Sequence, residues 1–293
     1  MRKKNISVIL IVMGMNNVWI FWEKKKMGRD RFEFGENWKK FLENLSDERI
    51  EEAEKSLLEW LGLDNLNGKT FLDIGSGSGL FSLAARNKGA VVHSFDYDKE
   101  SVACTSYLKR KYYANDENWT IERGDVLSRD YLSRYEPHDV VYSWGVLHHT
   151  GHMWEAFANV DRLVKKGGIL FIAIYNDQGR QSKIWKKIKK LYVNSPKALR
   201  AVILFFSLIK LWLPRTVRDF VIFKPFQSWK TYKQKNRGMS PWRDVVDWVG
   251  GYPFEVAKPE EVFDFFAKRG YTLKKMSTEG KNLGCNQFVF QKM

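Results

Sequence analysis

The chain is 293 residues long, 44% hydrophobic, and carries 49 basic against 34 acidic residues, a formal charge of +15. That length can bury one large core, or a domain plus a substantial insertion. Two cysteines far apart in sequence, Cys104 and Cys285, exclude a disulfide scaffold, and no His/Cys/Asp/Glu spacing suits zinc, so no metal site is expected.

The first 27 residues are the ambiguous part. Arg2-Lys3-Lys4 precedes an apolar stretch from Ile6 to Trp22, interrupted by Gly14 and Asn16-Asn17, and Lys24-Lys25-Lys26 follows. The stretch has no small-residue cleavage pattern and is marginal in length for a span. It reads as a membrane-surface anchor, a weak span, or an extension translated only from a misassigned start. Met27 opens a natural-looking chain, which favours the third. Residues 28–66 read as N-terminal helices. Ser46 is an expected N-cap, with an apolar face of Leu57, Leu58 and Leu61 behind it. Trp38 stands in this segment as a candidate site residue, and equally as a core aromatic that holds the helix down.

The most informative run is Phe71-Leu72-Asp73-Ile74-Gly75-Ser76-Gly77-Ser78-Gly79, a buried strand breaking into a glycine-rich turn. Three alternate glycines let backbone approach a ligand closely, and the apolar helical run from Leu80 places that ligand at a helix N-terminus. Leu80 stands where a dinucleotide fingerprint needs a small residue, and no Lys-Ser/Thr pair follows as a phosphate loop requires. Next come a strand over 90–95 ending at Asp96-Tyr97-Asp98, a helix over 101–113, and a strand over 119–122 leading to Gly124-Asp125-Val126. A fourth strand over 139–144 ends at Gly145-Val146-Leu147-His148-His149. A helix over 153–164 stops at Lys165–Gly168, and a fifth strand spans 169–174. Asp96 lies at the spacing where a doubly wound sheet presents a carboxylate to ribose hydroxyls. Strands alternating with helices argue a parallel sheet over 67–177. The chain closes with a helix near 260–268, Gly270 as its stop, and strands over 271–276 and 286–290.

Spacing G-x-G-x-G with an acid two residues ahead resembles motif I of class I S-adenosylmethionine (SAM) methyltransferases. The resemblance covers about 68–177 and resumes over 257–293. It implies a Rossmann-like doubly wound α/β sheet whose last strand is antiparallel, with a helical N-terminal lid and a large helical insertion after the fifth strand. It also implies SAM as cofactor. Asp73 would hold the methionine amino end, Gly75, Ser76, Gly77 and Gly79 would form the cofactor turn, and Asp96 with Tyr97 would meet the ribose. Asp125 and Val126 would meet adenine, with Ser143 and Trp144 flanking the methionine portion. The stretch 139–149 is similar to ubiquinone-biosynthesis O-methyltransferases, which read D-V-V-x-x-x-E-x-L-E-H there. His149 aligns with the family histidine and is the candidate base, with His148 beside it. Tyr175, closing the fifth strand, is a candidate acceptor contact. Gly145 and His148 replace the two family glutamates, which removes carboxylates that a divalent metal would need.

Residues 178–256 form the expected insertion. Between Arg180 and Lys258 stand 18 Lys/Arg and four acids, nearly the whole positive excess, interleaved with aromatics. Residues 183–190 read as a basic, turn-rich face. Ser195-Pro196 reads as an N-cap and first helical residue, opening an apolar helix that Pro214 stops. The insertion suits a membrane surface or a roof over an apolar pocket, RNA through lysines and stacked rings, or a plain cap with solvated lysines. The expected function is therefore methyl transfer from SAM to an oxygen of a small, apolar acceptor. The expected place is the cytoplasm, or the inner face of a membrane. Methylation of RNA ranks below this, as does a non-catalytic binding protein; oligomeric state is not legible.

Overall fold

In the computed structural model the described residues are Trp38, Leu42, 45–232, 241–280 and 282–293. The readings of residues 1–37, and the parts of the N-terminal and insertion readings that fall on 39–41, 43–44 and 233–240, lie outside them. Helix α1 (Asp47–Leu61) leads to β1 (Thr70–Ile74), α2 (Leu80–Asn87), β2 (Val91–Asp96), α3 (Lys99–Tyr112) and β3 (Trp119–Arg123). A short helix α4 (Arg129–Leu132) precedes β4 (His138–Trp144), a 3₁₀ turn (Leu147–His149), α5 (Met153–Arg162) and β5 (Val164–Tyr175). Helices α6 (Arg180–Asn194), α7 (Lys197–Val221), α8 (Gln227–Lys230) and α9 (Pro241–Gly250) follow, then α10 (Pro259–Ala267), β6 (Tyr271–Ser277) and β7 (Cys285–Lys292).

The seven strands form one sheet in the order β3-β2-β1-β4-β5-β7-β6, parallel except for β7, which runs antiparallel to β5 and β6. This is the doubly wound α/β sheet expected from the sequence. Successive residues of the central strands face opposite layers. Leu72, Ile74 and Val141 pack with Phe157 of α5 and Phe266 of α10. Phe71, Val140 and Tyr142 pack with Leu57 of α1 and Leu83 of α2. The chain leaves the sheet after Tyr175 and returns at Ala257, whose amide donates to the Tyr175 carbonyl at 3.1 Å. Between them α6, α7 and α9 enclose a separate core of Trp185, Tyr192, Leu204, Trp212, Val245 and Phe254.

Local expectations fail where tertiary packing overrides short-range signals. Residues 183–190 are α-helix, because Trp185, Tyr192 and Val193 bury one helical face against that core. Ser195 belongs to the end of α6, its hydroxyl donating to the Leu191 carbonyl, and Pro196 takes the N-cap position of α7. Pro214 does not stop α7. Packing of Trp212 before it and the hydrogen bonds of Asp219 with Ser228 after it hold the helix together against the roughly 3 kcal/mol that an internal proline costs. Residues Lys165–Gly168 are not a helix stop but the irregular start of β5, with a register shift opposite His138–Val140. Ser46 stands at the N-cap of α1 without a side-chain cap; its hydroxyl meets the Glu48 carboxylate at 3.4 Å.

Candidate active site

The turn after β1 is built to be bare. Gly75, Gly77 and Gly79 have φ of +79°, +55° and +82°, the left-handed region that glycine alone enters freely. A Cβ on Gly75 would lie 2.4 Å from Val146 of the loop after β4, so this glycine lets the β1 and β4 loops touch. A Cβ on Gly77 would lie 3.0 Å from the Trp38 indole. Trp38 therefore sits directly on the glycine turn.

Four of the turn's own amides are spoken for. Gly75 and Ser76 donate to the Phe95 carbonyl at 2.8 and 3.2 Å, and Gly79 donates to Ser76 at 2.8 Å. Gly77 donates to the Asp96 carboxylate at 3.0 Å, whose other oxygen accepts from the Asp98 amide at 2.8 Å. A phosphate needs open amides and no anion nearby. This turn offers the reverse, which fits a phosphate-free nucleoside.

Asp73 lies beneath the turn, 2% exposed, and accepts from the Ser82 hydroxyl of α2. Ser82 accepts from Ser94 at 2.8 Å, and Ser94 from the Trp119 indole N–H at 2.9 Å. Because an indole only donates, this chain has one direction and ends on the carboxylate. Sequence spacing did not reveal it, since Ser82, Ser94 and Trp119 come from three elements. Burial pushes the Asp73 carboxyl up to about 7, the Ser82 bond opposes this, and the Asp96 charge adds to it. The native state thus holds a proton that the unfolded chain releases near 3.8, so stability falls as pH rises from about 4 to about 7 and is flat above. Asp73→Asn is expected to lack this slope and, without ligand, to exceed wild type at pH 8 by up to about 4 kcal/mol. Denaturant unfolding at pH 5 and pH 8 measures it; an unchanged slope would contradict the assignment.

The remaining expected cofactor contacts differ in placement. Asp125 accepts from the Leu127 amide at 2.9 Å, within its own turn. Val126 is buried in the core, its carbonyl accepting from Asn159 at 2.9 Å. Tyr97 is 43% exposed beside Arg123. Ser143 is fully buried and donates to the Ile74 carbonyl at 3.0 Å, tying β4 to β1. Trp144 donates to Gln287 of β7 at 3.0 Å.

The two histidines separate in role. His149 Nδ1 meets the Pro253 carbonyl at 2.6 Å, so it must carry the proton, and the neutral ring keeps its lone pair on Nε2. His148 is fully buried, and its Nδ1 accepts from the Tyr175 amide at 3.3 Å. Its proton then sits on Nε2, and burial holds the ring neutral. With Nδ1 accepting from the Tyr175 amide and the proton on Nε2, the neutral His148 ring has no lone pair left for an acceptor's proton. Its ring lies 3.9 Å from that of Tyr175, with His149 at 5.3 Å from the same ring.

Beyond Tyr175 the wall is aromatic and comes from the insertion. Trp248 and Phe254 both lie 5.3 Å from Tyr175. Lys189 is fully buried among these rings and donates to the Trp248 carbonyl in the last turn of α9; burial lowers its affinity for a proton. In the sequence Lys189 is one lysine of the basic 183–190 face, and its spacing with Trp185 and Tyr192 is the signal that it turns inward. Among the described residues no three His, Cys, Asp or Glu gather as a metal would require.

This sheet order and bare turn have the arrangement of the class I SAM-dependent methyltransferase fold. Residues 72–170 match the family model described as methyltransferase domain. The ubiquinone biosynthesis O-methyltransferase of Glaesserella parasuis serovar 5 (strain SH0165) is 27% identical over 118 residues, 39% of this chain and 48% of the relative. The match thus spans about half the length of that curated relative. Among solved structures, magnesium protoporphyrin IX methyltransferase from Synechocystis PCC 6803 with bound SAH has a TM-score of 0.50 at 14% identity, covering 83% of this chain and 82% of that one. A chain from the complex of the Haloferax volcanii Trm112 methyltransferase activator with a methyltransferase also scores 0.50, at 13% identity over 88% and 95%. At these identities the two structures establish the fold alone.

Proposed function

We propose that the chain transfers a methyl group from SAM to an oxygen of a small apolar acceptor. The observation that carries this is the position of His149: clamped by Pro253, beside Tyr175, at the same carboxyl edge of the sheet as the Gly77–Asp96 turn. Bound SAM supplies an electrophilic methyl on a sulfonium. Asp96 would hold the ribose hydroxyls and Asp73 would face the methionine ammonium, at a turn where Gly75 and Gly77 let Val146 and Trp38 pack close. His149 Nε2 would receive the acceptor's hydroxyl proton, while His148 fixes Tyr175. The rings of Tyr175, Trp248 and Phe254 favour an apolar acceptor and exclude water; Trp38 would close the cofactor turn from the other side. Alignment of acceptor oxygen and methyl group is most of the catalysis such a site must provide.

Calorimetry with SAM tests the cofactor half. Asp96→Ala is expected to weaken binding by about 10- to 100-fold, the worth of hydrogen bonds to a charged group. Incubation with SAM and a phenolic or quinol acceptor should yield the O-methyl product by mass spectrometry. Unchanged SAM affinity in Asp96→Ala would overturn the ribose assignment, and methyl found only on nitrogen or carbon would overturn the acceptor atom.

A further inference from the structure

Helix α7 has two apolar faces where a packed helix needs one. Its inner face meets α6 and α9 through Leu204, Leu208, Leu211 and Trp212. On the opposite side Leu199, Val202, Phe206, Ile209, Leu213, Val217 and Phe220 recur every three or four residues, each 39–64% exposed. This stripe runs about 32 Å at 1.5 Å per residue. It continues into a tip, Val221-Ile222-Phe223-Lys224-Pro225-Phe226, where Phe223 is 92% exposed and Phe226 52%.

The tip is a built feature. Phe223 and Phe226 have φ of +57° and +60°, a region bulky residues enter only when the surroundings hold them there. The holder is Asp219, 1% exposed: its carboxylate accepts from the Ser228 amide and hydroxyl at 2.6 and 2.7 Å, and its carbonyl from the Lys224 amide at 2.8 Å. Backbone strain and a buried carboxylate are thus spent on displaying phenylalanines outward.

We infer that the outer face of α7 and the 221–226 tip lie in the headgroup boundary of an anionic phospholipid bilayer. Charge selects this occupant. Residues 180–232 hold thirteen Lys/Arg and a single acid, Asp219, which is turned inward. A second copy would bring the same positive shoulders, Lys210, Lys224 and Lys230, and be repelled; an anionic surface attracts them. Nucleic acid shares the charge but not the chemistry, since five of the seven stripe residues are aliphatic and present no ring for a base to stack on. Among the described residues no helix is long and apolar enough to cross a membrane, so α7 lies along the surface. A surface site there would let a lipophilic acceptor pass from bilayer to the aromatic wall of Trp248 and Phe254. The docking itself does not depend on methyl transfer.

Flotation of the full chain with vesicles of phosphatidylcholine alone, or with about one-third phosphatidylglycerol, tests it. The chain is expected to float at least tenfold better with the anionic vesicles. The triple variant Phe206→Asp, Leu213→Asp, Phe223→Asp should lose at least tenfold of that partitioning. Its melting curve and SAM affinity should stay at wild-type values, which separates this outcome from failure of the methyltransferase reading. The inference is overturned if the triple variant floats like wild type, since the unchanged residues 6–22 would then carry binding. It is also overturned if wild type is a dimer that the variant splits without vesicle binding, or if tRNA is bound and vesicles are not.

Discussion

Replacing Gly77 with valine is expected to bring SAM affinity below calorimetric detection, a loss of more than about 100-fold. Two costs combine. At φ +55° a β-branched side chain is strained by about 1–3 kcal/mol, which the loop can relieve only by leaving this conformation. The first new carbon would also stand 3.0 Å from Trp38, and the branches beyond it would need space the indole fills. Either relief moves the Gly77 amide off Asp96, breaking the bond that orients the carboxylate proposed to hold the ribose. Gly62→Ala is the matched control. Gly62 caps α1 at φ +66° with nothing within 4 Å of a new Cβ, so it should cost about 1 kcal/mol of stability and leave SAM binding intact. Calorimetry beside thermal melts separates the two variants. Wild-type SAM affinity in Gly77→Val would mean that the turn does not contact the cofactor.

The difference between what the sequence discloses and what only packing discloses follows the range of each interaction. Strands β1 to β5 are legible because buried parallel strands are short apolar runs bounded by turn residues, and Asp96 is legible because crossover length fixes its place. The roles of His148 and His149 are not. They are neighbours in one 3₁₀ turn, yet one ring meets the Tyr175 amide and the other the Pro253 carbonyl, 104 residues away. Lys189 shows the same limit: in a run of five lysines over eight residues, nothing local marks the one that turns inward beneath Trp248. The persistence of α7 through Pro214 is likewise set by what packs on both sides of the proline. The glycine turn reads from sequence because its geometry is demanded by its own backbone; the aromatic wall does not, because it joins Tyr175 at the end of β5 to Trp248 and Phe254, more than 70 residues on.

His149→Ala is the second large effect, expected at about 10²- to 10⁴-fold in kcat, the usual worth of one positioned acid–base group. SAM affinity should stay within about twofold, because the ring is held through Pro253 and Tyr175 and not through the glycine turn. The residual rate carries a further signature. A base that must be unprotonated gives wild type an acid limb in kcat/KM, and with the imidazole gone that limb should vanish from the alanine variant. A purely structural histidine would behave differently: the melting temperature would fall, SAM binding would weaken with it, and the acid limb would persist. His148→Ala provides the contrast. Its loss leaves the Tyr175 amide without an acceptor in a buried place, so stability should fall by about 1–3 kcal/mol while the acid limb remains. If His149→Ala retains wild-type turnover, the acceptor's proton leaves by another route, and the short hydrogen bond to Pro253 serves only to pin the 252–254 segment against the end of β4.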